Sequence, residues 1–180
     1  YNVKMISHII DDLFDKDFIN HLYQLMIHEV PVTANNVANS HRLFGTNIFA
    51  RSGINRVDYL HNKAEKFFDA FDIIEDQFST PIYLKRIDIN LQFINMNGST
   101  HTDAVDDELT VMLMNNSEWK PEWGCQFQLM DWRDNVIEEH DYVPGRVIIF
   151  PGKHPHRGLA PIVPNTPRYT TVYRIIPQES

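Results

Sequence analysis

The chain has 180 residues, 43% of them hydrophobic, so it can bury one sizeable core and has the length of a single domain. Its 24 acidic and 16 basic residues give a net charge of −8, which disfavours nucleic acid as a partner because phosphate binding needs Lys and Arg. The single cysteine excludes an internal disulfide framework, and without a membrane-length apolar run or a signal-like opening segment we expect a cytoplasmic protein with no membrane partner.

The first predicted element is a helix that starts after Asp15, a good N-cap residue, and ends before Pro31. Apolar residues at helical spacing form one stripe along it: Phe18, Ile19, Leu22, Tyr23, Met26 and Ile27. His21 and His28 also lie in this segment. Neither has a histidine or carboxylate at metal-ligand spacing, so we predict structural roles for both.

The next segment, residues 31–54, is rich in Asn, Thr, Ser and His and predicts an irregular loop or an edge strand. A second helix is predicted to follow it, because apolar residues recur with i, i+3, i+4 and i+7 spacing. They are Val57, Leu60, Ala64, Phe67, Phe68 and Phe71. We interpret this stripe as core. His61 and His140 have no motif around them, and structural roles are predicted for both.

From Ile82 onwards the hydrophobic period changes to two, which is typical of strands. In the segment 86–93 apolar and polar residues alternate, and the polar face either lines a wet pocket or faces solvent. Residues 131–135 predict a turn, and residues 147–150 predict a strand that is covered on both faces. Two helices followed by many short strands predict a mainly β (α+β) jelly-roll buttressed by N-terminal helices, in one domain over 1–180 with helical and loop support in 1–80 and the β core in 81–177.

The strongest chemical pattern is His101-Thr102-Asp103, because residues two apart in a strand project to the same side and can reach one ion. A third ligand is available from His154 or His156, which spacing alone does not separate, and Arg168 follows as a fixed cation. Two histidines and one carboxylate suit Fe(II) and leave three adjacent coordination positions open. A Cys-based zinc site is excluded by the cysteine count, although a fourth histidine ligand is not.

Over about residues 82–176 the sequence resembles the 2-oxoglutarate- and Fe(II)-dependent dioxygenases, in particular their prolyl 4-hydroxylase-like branch. The segments that carry the resemblance are 86–93, Gly98 with 101–103, 110–116, Trp119, 122–129, 144–150, 156–161 and 168–170. The chain has Gly124-Cys125-Gln126 where the family usually has two glycines and an acidic residue. It also lacks the tyrosine that many members carry near Gln92 or Phe93. The resemblance implies a double-stranded β-helix around a metal and its cosubstrate.

The resemblance also implies roles for individual residues. His101, Asp103 and His156 are the implied metal ligands and catalytic residues, with His156 preferred to His154 because the segment 156–161 is similar to the family's distal-histidine segment. Arg168 would pair with the distal carboxylate of 2-oxoglutarate. Thr170, which points to the same side of the strand, would add a hydrogen bond.

The function that the resemblance implies is hydroxylation of a C–H bond coupled to oxidative decarboxylation of 2-oxoglutarate. The implied cofactors are Fe(II), 2-oxoglutarate as cosubstrate and O2, with ascorbate as an optional addition. The substrate is left open between a peptidyl, prolyl-like side chain and a small molecule, as is the oligomeric state. Asn47 and Arg51 are candidates for substrate contact, but a solvated connection is favoured for the loop 31–54 that contains them. The alternatives are a cupin-like metal-binding isomerase and a non-catalytic jelly-roll binding module.

Overall fold

A computed structural model describes residues 5–35, 43–51, 57–60 and 62–178, with backbone alone for Asn35 and 57–60. Within these residues the chain forms eleven strands, two α-helices and one short 3-10 turn at Pro121–Trp123. The helices are α1 (Lys16–His28) and α2 (Glu65–Glu75). The strands are β1 (His8–Ile10), β2 (Thr33–Asn35), β3 (Leu43–Arg51), β4 (Val57–Leu60), β5 (Ile82–Gln92), β6 (Leu109–Met114), β7 (Phe127–Met130), β8 (Val136–His140), β9 (Val147–Pro151), β10 (His156–Gly158) and β11 (Arg168–Pro177).

Two antiparallel sheets form the layers of a jelly-roll. The larger sheet has the strand order β1-β9-β6-β11-β5-β3-β2, with β4 also paired to β3. The smaller sheet has the order β10-β7-β8, and a backbone bridge between His101 and His156 joins the segment around residue 101 to it. Met112 from β6, Phe127 from β7 and Phe150 from β9 belong to one buried core between the sheets. The predicted mainly β jelly-roll with supporting helices is confirmed.

Both helices cover the outer face of the larger sheet. Helix α1 begins as predicted, because the Asp15 carboxylate accepts the backbone N–H of Phe18 at 2.6 Å. Helix α2 contributes Phe67, which is fully buried, and its carbonyl accepts the hydroxyl of Tyr173 on β11 at 3.1 Å. Leu22 of α1 is fully buried in the same core. The residues of the first predicted stripe other than exposed Ile27, and Ala64, Phe67, Phe68 and Phe71 of the second, do belong to the core or pack against it, whereas the side chains of Val57 and Leu60 lie outside the described part of the structure.

The alternation in β5 separates two environments that the sequence left undecided. Ile87 and Ile89 are fully buried against the helices, whereas Asp88 and Asn90 face the space between the two sheets and line a cavity there. The same division continues on β11, its neighbour, where residues 168, 170, 172 and 174 line the cavity. The polar face of β5 is thus a pocket wall. Residues 147–150 are buried on both faces, as predicted.

Two predictions for residues 31–60 are wrong in part, although Thr33–Asn35 does form an edge strand, β2. Residues 43–51 are neither a loop nor an edge strand, because β3 lies inside the larger sheet and pairs with β5 on one side and with β2 and β4 on the other. The second helix does not begin at residue 57, because 57–60 form β4 and α2 starts only at Glu65. In both cases pairing with a distant strand outweighs the local pattern, since a strand can satisfy its backbone groups only through such partners.

The histidines outside the main motif are placed as follows. His21 and His28 are exposed on α1, and His140 on β8 contacts the Ser7 hydroxyl at 2.9 Å, which agrees with structural roles. His61 lies outside the described residues. Within the described part of the chain, neither helix has the length and hydropathy needed to span a bilayer.

Candidate functional site

His101, Asp103 and His156 meet at the inner edge of the smaller sheet. Mutual hydrogen bonds between the main chains of His101 and His156, at 2.9 and 3.0 Å, place the two rings side by side with centroids 4.4 Å apart. The Asp103 amide donates to the Gly152 carbonyl at 2.8 Å, which ties the third residue to the end of β9. One candidate ligand atom from each residue lies within 4.8 Å of those of the other two. The three side chains therefore converge on one point.

Both imidazole rings are oriented by a backbone carbonyl. Nδ1 of His101 lies 2.9 Å from the Ser99 carbonyl, and Nδ1 of His156 lies 2.9 Å from the His154 carbonyl. A carbonyl only accepts, so Nδ1 carries the proton in each ring and Nε2 is the atom presented to Asp103. The two Nε2 atoms are each 3.5 Å from an Asp103 oxygen. Such a second hydrogen bond fixes tautomer and orientation in metal-ligating histidines.

The electrostatics of the cluster favour an ionised carboxylate. Burial alone would raise the pKa of Asp103, but hydrogen bonds from His101 and His156 hold it well below its usual range. Burial alone would lower the pKa of His101, yet contact with Asp103 raises it. Because histidine binds a metal ion in its neutral form, a metal ion at this cluster would compete with protons for Nε2.

Thr110 on β6 supports the carboxylate from behind. Its hydroxyl donates to Asp103 Oδ2 at 2.8 Å, and the side chain is 1% exposed. This bond leaves Oδ1 and the two imidazoles directed at the centre. Two neutral imidazoles and one carboxylate are a donor set that fits Fe(II) and leaves three positions for other ligands.

The structure brings His156 to this cluster, and not the ring of His154. The backbone carbonyl of His154 orients the ring of His156. The ring nitrogen Nε2 of His154 is buried and has no hydrogen-bond partner among the described residues. The ring of His156 is 5% exposed and packs against Phe150 and Phe127, with centroids 4.7 and 5.7 Å away. These aromatic neighbours restrict the ring to one orientation.

Arg168 lies at one end of the same cavity with its charge unbalanced. The side chain is 3% exposed, and burial lowers the pKa of the guanidinium from its ordinary value. Nη1 donates to Gln92 Oε1 at 2.6 Å, Nη2 lies 3.8 Å from the Met112 sulfur, and the charge sits 5.5 Å from the ring centre of Tyr142. Nε has no acceptor, and no carboxylate pairs with Arg168 among the described residues. A buried cation with neutral partners is costly unless a ligand supplies the anion.

A cavity of about 420 Å³ connects the metal-ligand cluster with Arg168. Polar side chains from β5 and β11 line one wall, and apolar side chains from β6, β7, β9 and β11 line another. The apolar wall consists of Met112, Phe127, Phe150 and Val172. Gly158 borders the guanidinium so closely that an added Cβ would meet Nη1 and Nη2 at 3.1 Å. Glycine here leaves room for the arginine.

The remaining predicted contacts have mixed outcomes. Thr170 lines the cavity and is 1% exposed, two residues along β11 from Arg168. Asn47 bridges β3 to β5, donating to the Ile87 carbonyl at 3.3 Å and to the Asp88 carboxylate at 3.0 Å. The guanidinium of Arg51 stacks on aromatic rings 5.0 Å away. Neither Asn47 nor Arg51 is among the described residues that line the cavity.

Sequence reasoning missed the contributions of Thr110 and Gln92. Gln92 lies opposite Arg168 in the β5–β11 register and is 3% exposed. Its amide also donates to the carbonyls of Met96 and Gly158, at 2.8 and 3.1 Å, so its carbonyl is aimed at the guanidinium. The available signal was a polar residue at the inward end of an alternating strand, but only the register identifies its partner.

No protein-family model and no curated protein sequence matches the chain. Solved structures do match. An oxidoreductase of the 2OG-Fe(II) oxygenase family from Burkholderia pseudomallei is 19% identical with a TM-score of 0.71, covering 94% of this chain and 85% of that one. A Pseudomonas putida prolyl-4-hydroxylase is 16% identical with a TM-score of 0.66, covering 94% and 91%. A Trichoplax adhaerens prolyl hydroxylase in complex with a hypoxia inducible factor peptide fragment is 16% identical with a TM-score of 0.65, covering 96% and 84%. At these identities the likeness shows a shared fold.

Proposed function

We propose that this chain is a non-haem Fe(II)- and 2-oxoglutarate-dependent oxygenase that hydroxylates a peptidyl or small-molecule substrate. One observation carries the proposal: a cluster of two histidines and one aspartate shares a cavity with a buried arginine that lacks a carboxylate partner among the described residues. The cluster by itself provides only for a metal ion, and the arginine by itself only for an anion. Together they provide for a metal ion and for a dicarboxylate that spans from the metal to a cation.

When bound, Fe(II) and 2-oxoglutarate would supply the O2 chemistry, in which decarboxylation to succinate and CO2 accompanies transfer of one oxygen atom to a substrate C–H bond. The residues of the chain have simpler tasks. His101, Asp103 and His156 would hold the ion and leave three adjacent positions for cosubstrate and oxygen. Arg168 would pair with the distal carboxylate of 2-oxoglutarate, and its planar guanidinium matches two carboxylate oxygens.

The cavity walls add orientation and exclusion of water. Gln92 would hold the Arg168 guanidinium in place through its 2.6 Å hydrogen bond, while Thr110 would keep one Asp103 oxygen occupied and the other free for the metal. Phe127, Phe150 and Val172 line the cavity with apolar surface, which limits side reactions with water. The peptide complex of the Trichoplax adhaerens prolyl hydroxylase supports keeping a peptidyl substrate among the candidates.

The test is formation of succinate from 2-oxoglutarate by the full chain in air, measured by mass spectrometry with and without added Fe(II). We expect slow succinate release that requires Fe(II), because turnover of 2-oxoglutarate continues at a low rate without substrate. The Asp103→Ala variant should release none, and the matched control His154→Ala should resemble the wild type.

Two results would count against the proposal. Succinate formation that is independent of Fe(II) or of Asp103 would mean that the cluster does not perform the reaction. Metal binding that neither affects nor is affected by 2-oxoglutarate would favour the cupin-like or non-catalytic alternatives.

A further inference from the structure

The end of the cavity opposite Arg168 also carries guanidinium groups. Arg174 lies six residues along β11 from Arg168, about 20 Å away at the rise of an extended strand. Arg86 on β5 is its direct cross-strand partner, and both side chains line the cavity. On the other side of β11, Arg174 pairs with Thr110, the residue that hydrogen-bonds the Asp103 carboxylate. Arg174 and Arg86 therefore border the metal-ligand cluster.

A β-bulge concentrates basic side chains at this end. The β5–β11 register shifts between Arg174 and Ile175, so that Arg174 pairs with Arg86 and Ile175 with Leu84, and Lys85 is the extra residue. Bulges re-aim side chains and recur beside active sites. Here the bulge lets Lys85 reach the Glu108 carboxylate, which also accepts from Arg174 Nη2 at 2.7 Å.

The charges at the Arg174 end of the cavity do not cancel. Three cations, Lys85, Arg86 and Arg174, are matched by two carboxylates, with Asp88 2.5 Å from Arg86 and Glu108 shared between the other two. Arg174 Nε is buried and has no acceptor among the described residues. In a chain with a net charge of −8, this local excess of positive charge is contrary to the overall balance.

Binding of the metal and cosubstrate would not consume that excess. A divalent ion, the Asp103 carboxylate, a doubly charged 2-oxoglutarate and the Arg168 guanidinium together carry no net charge. The spare positive charge at Arg174 and Arg86 thus remains for another ligand. Because these residues line the same cavity as His101, Asp103 and His156, a ligand bound there would lie beside the metal-ligand cluster.

We infer that Arg174, assisted by Arg86, binds a carboxylate group of the substrate and so selects acidic substrates. This inference rests on the proposed function and assigns its substrate class. The carboxylate belongs either to a small free acid or to an acidic residue of a peptide, and both present the same planar pair of oxygens to a guanidinium.

The experiment is calorimetric titration of the full chain, loaded with Mn(II) in place of Fe(II) and with saturating 2-oxoglutarate. Two probe pairs differ in one carboxylate each: N-acetyl-L-proline against N-acetyl-L-prolinamide, and the capped tetrapeptide Ala-Pro-Asp-Ala against its Asn counterpart. We expect the acid of one pair to bind about tenfold or more tightly than its amide, as charge-assisted hydrogen bonds allow. The pair that discriminates identifies the source of the carboxylate.

Variants test whether Arg174 and Arg86 cause the preference for the acid. Arg174→Gln should abolish the acid preference, and Arg86→Gln, at a more exposed position, should reduce it while leaving the fold intact. Arg133→Gln, on the exposed turn between β7 and β8, is the matched control and should behave as wild type. The affinity for 2-oxoglutarate should be unchanged in all three variants, which also shows that each is folded.

Each contrary outcome has a distinct meaning. Equal binding of acid and amide in both pairs, by a protein that binds 2-oxoglutarate, would overturn the subsite alone. Loss of 2-oxoglutarate binding in a folded Arg174→Gln would assign this arginine to the cosubstrate and also overturn it. Failure of the wild type to bind 2-oxoglutarate would contradict the proposed function and the inference with it.

Discussion

Arg168 and Arg174 lie on the same strand, face the same cavity and differ in almost every other respect. Arg168 is 3% exposed and has an amide, a thioether and an aromatic ring as neighbours. Arg174 has a side chain that is 19% exposed and is ion-paired with Glu108. A buried guanidinium without a counter-ion is far from its lowest free energy, whereas a paired one near solvent is close to it.

This contrast indicates which end of the cavity depends most on a ligand. At the Arg168 end the protein supplies no negative charge, so a ligand carboxylate there replaces an absent partner. At the Arg174 end the protein already supplies carboxylates, and a ligand gains only from the remaining excess charge. We therefore expect the dicarboxylate to depend strongly on Arg168 and not on Arg174.

The largest expected effect follows from Arg168→Ala. This change should leave metal affinity nearly unchanged and weaken 2-oxoglutarate binding about tenfold to more than a hundredfold, because a charge-assisted hydrogen bond contributes about 1.5 to 3 kcal/mol. Arg168→Lys should restore only part of the loss, since one ammonium replaces a planar fork. For both variants, the 2-oxoglutarate concentration that gives half-maximal succinate release measures the loss. If Arg168→Ala required the same 2-oxoglutarate concentration as the wild type, the proposed difference between the Arg168 and Arg174 ends of the cavity would be contradicted.

Thr110→Val tests the support of the metal-ligand carboxylate by a residue that lies opposite Arg174 in the β6–β11 register. Loss of its 2.8 Å hydrogen bond to Asp103 should weaken metal affinity by about tenfold, the lower part of the range for groups that orient metal ligands. Affinity for 2-oxoglutarate at saturating metal should change little. Competition with a chelating dye measures the metal affinity, and Thr171→Val, on the helix-facing side of β11, is the control. Equal metal affinities for Thr110→Val and wild type would remove this role.

Gly158→Ala perturbs the Arg168 end without removing its charge. The new methyl group would lie 3.1 Å from both terminal guanidinium nitrogens, so the side chain must shift by a few tenths of an ångström. We expect weaker 2-oxoglutarate binding than in the wild type but stronger binding than in Arg168→Ala, with an unchanged melting temperature. Titration of 2-oxoglutarate monitored by intrinsic fluorescence measures this. Binding as tight as in the wild type would mean that the position of the guanidinium has no influence.

The smallest effect is expected for Thr170→Val, which removes one neutral hydroxyl from the cavity wall. A neutral hydrogen bond contributes about 1 kcal/mol, so 2-oxoglutarate should bind roughly fivefold more weakly, less than the loss in Arg168→Ala. The same titration applies. A loss as large as that of Arg168→Ala would make the hydroxyl an equal partner of the guanidinium and would require a different geometry at this end.

Patterns within a few residues predicted much of the fold and the candidate site. The alternation in β5 and the cap at Asp15 each depend on neighbours along the chain, and both are observed. His101 and Asp103 are likewise two residues apart, and the structure brings both to the cluster. His156 could not be separated from His154 by spacing. Its selection depends on the backbone bridge to His101, 55 residues away in sequence.

Features that depend on long-range pairing could not be predicted. Strands β3 and β4 contain polar or helix-like local patterns and exist because β5 and β3 supply partners. The contact of Gln92 with Arg168 joins residues 76 positions apart, and the cluster around Glu108 depends on a one-residue bulge in β5. A single register shift would dissolve these contacts without changing any local propensity.

An anaerobic spectroscopic titration with Fe(II) and 2-oxoglutarate tests directly whether the metal-ligand cluster and Arg168 form one site. We predict a weak visible absorption band that appears only when both ligands are present with the protein, because both must share the site formed by His101, Asp103 and His156. The band should be lost in Asp103→Ala and should require much higher 2-oxoglutarate concentrations in Arg168→Ala. Absence of any such band in a protein that binds Fe(II), or a band that is unchanged in Arg168→Ala, would contradict this prediction.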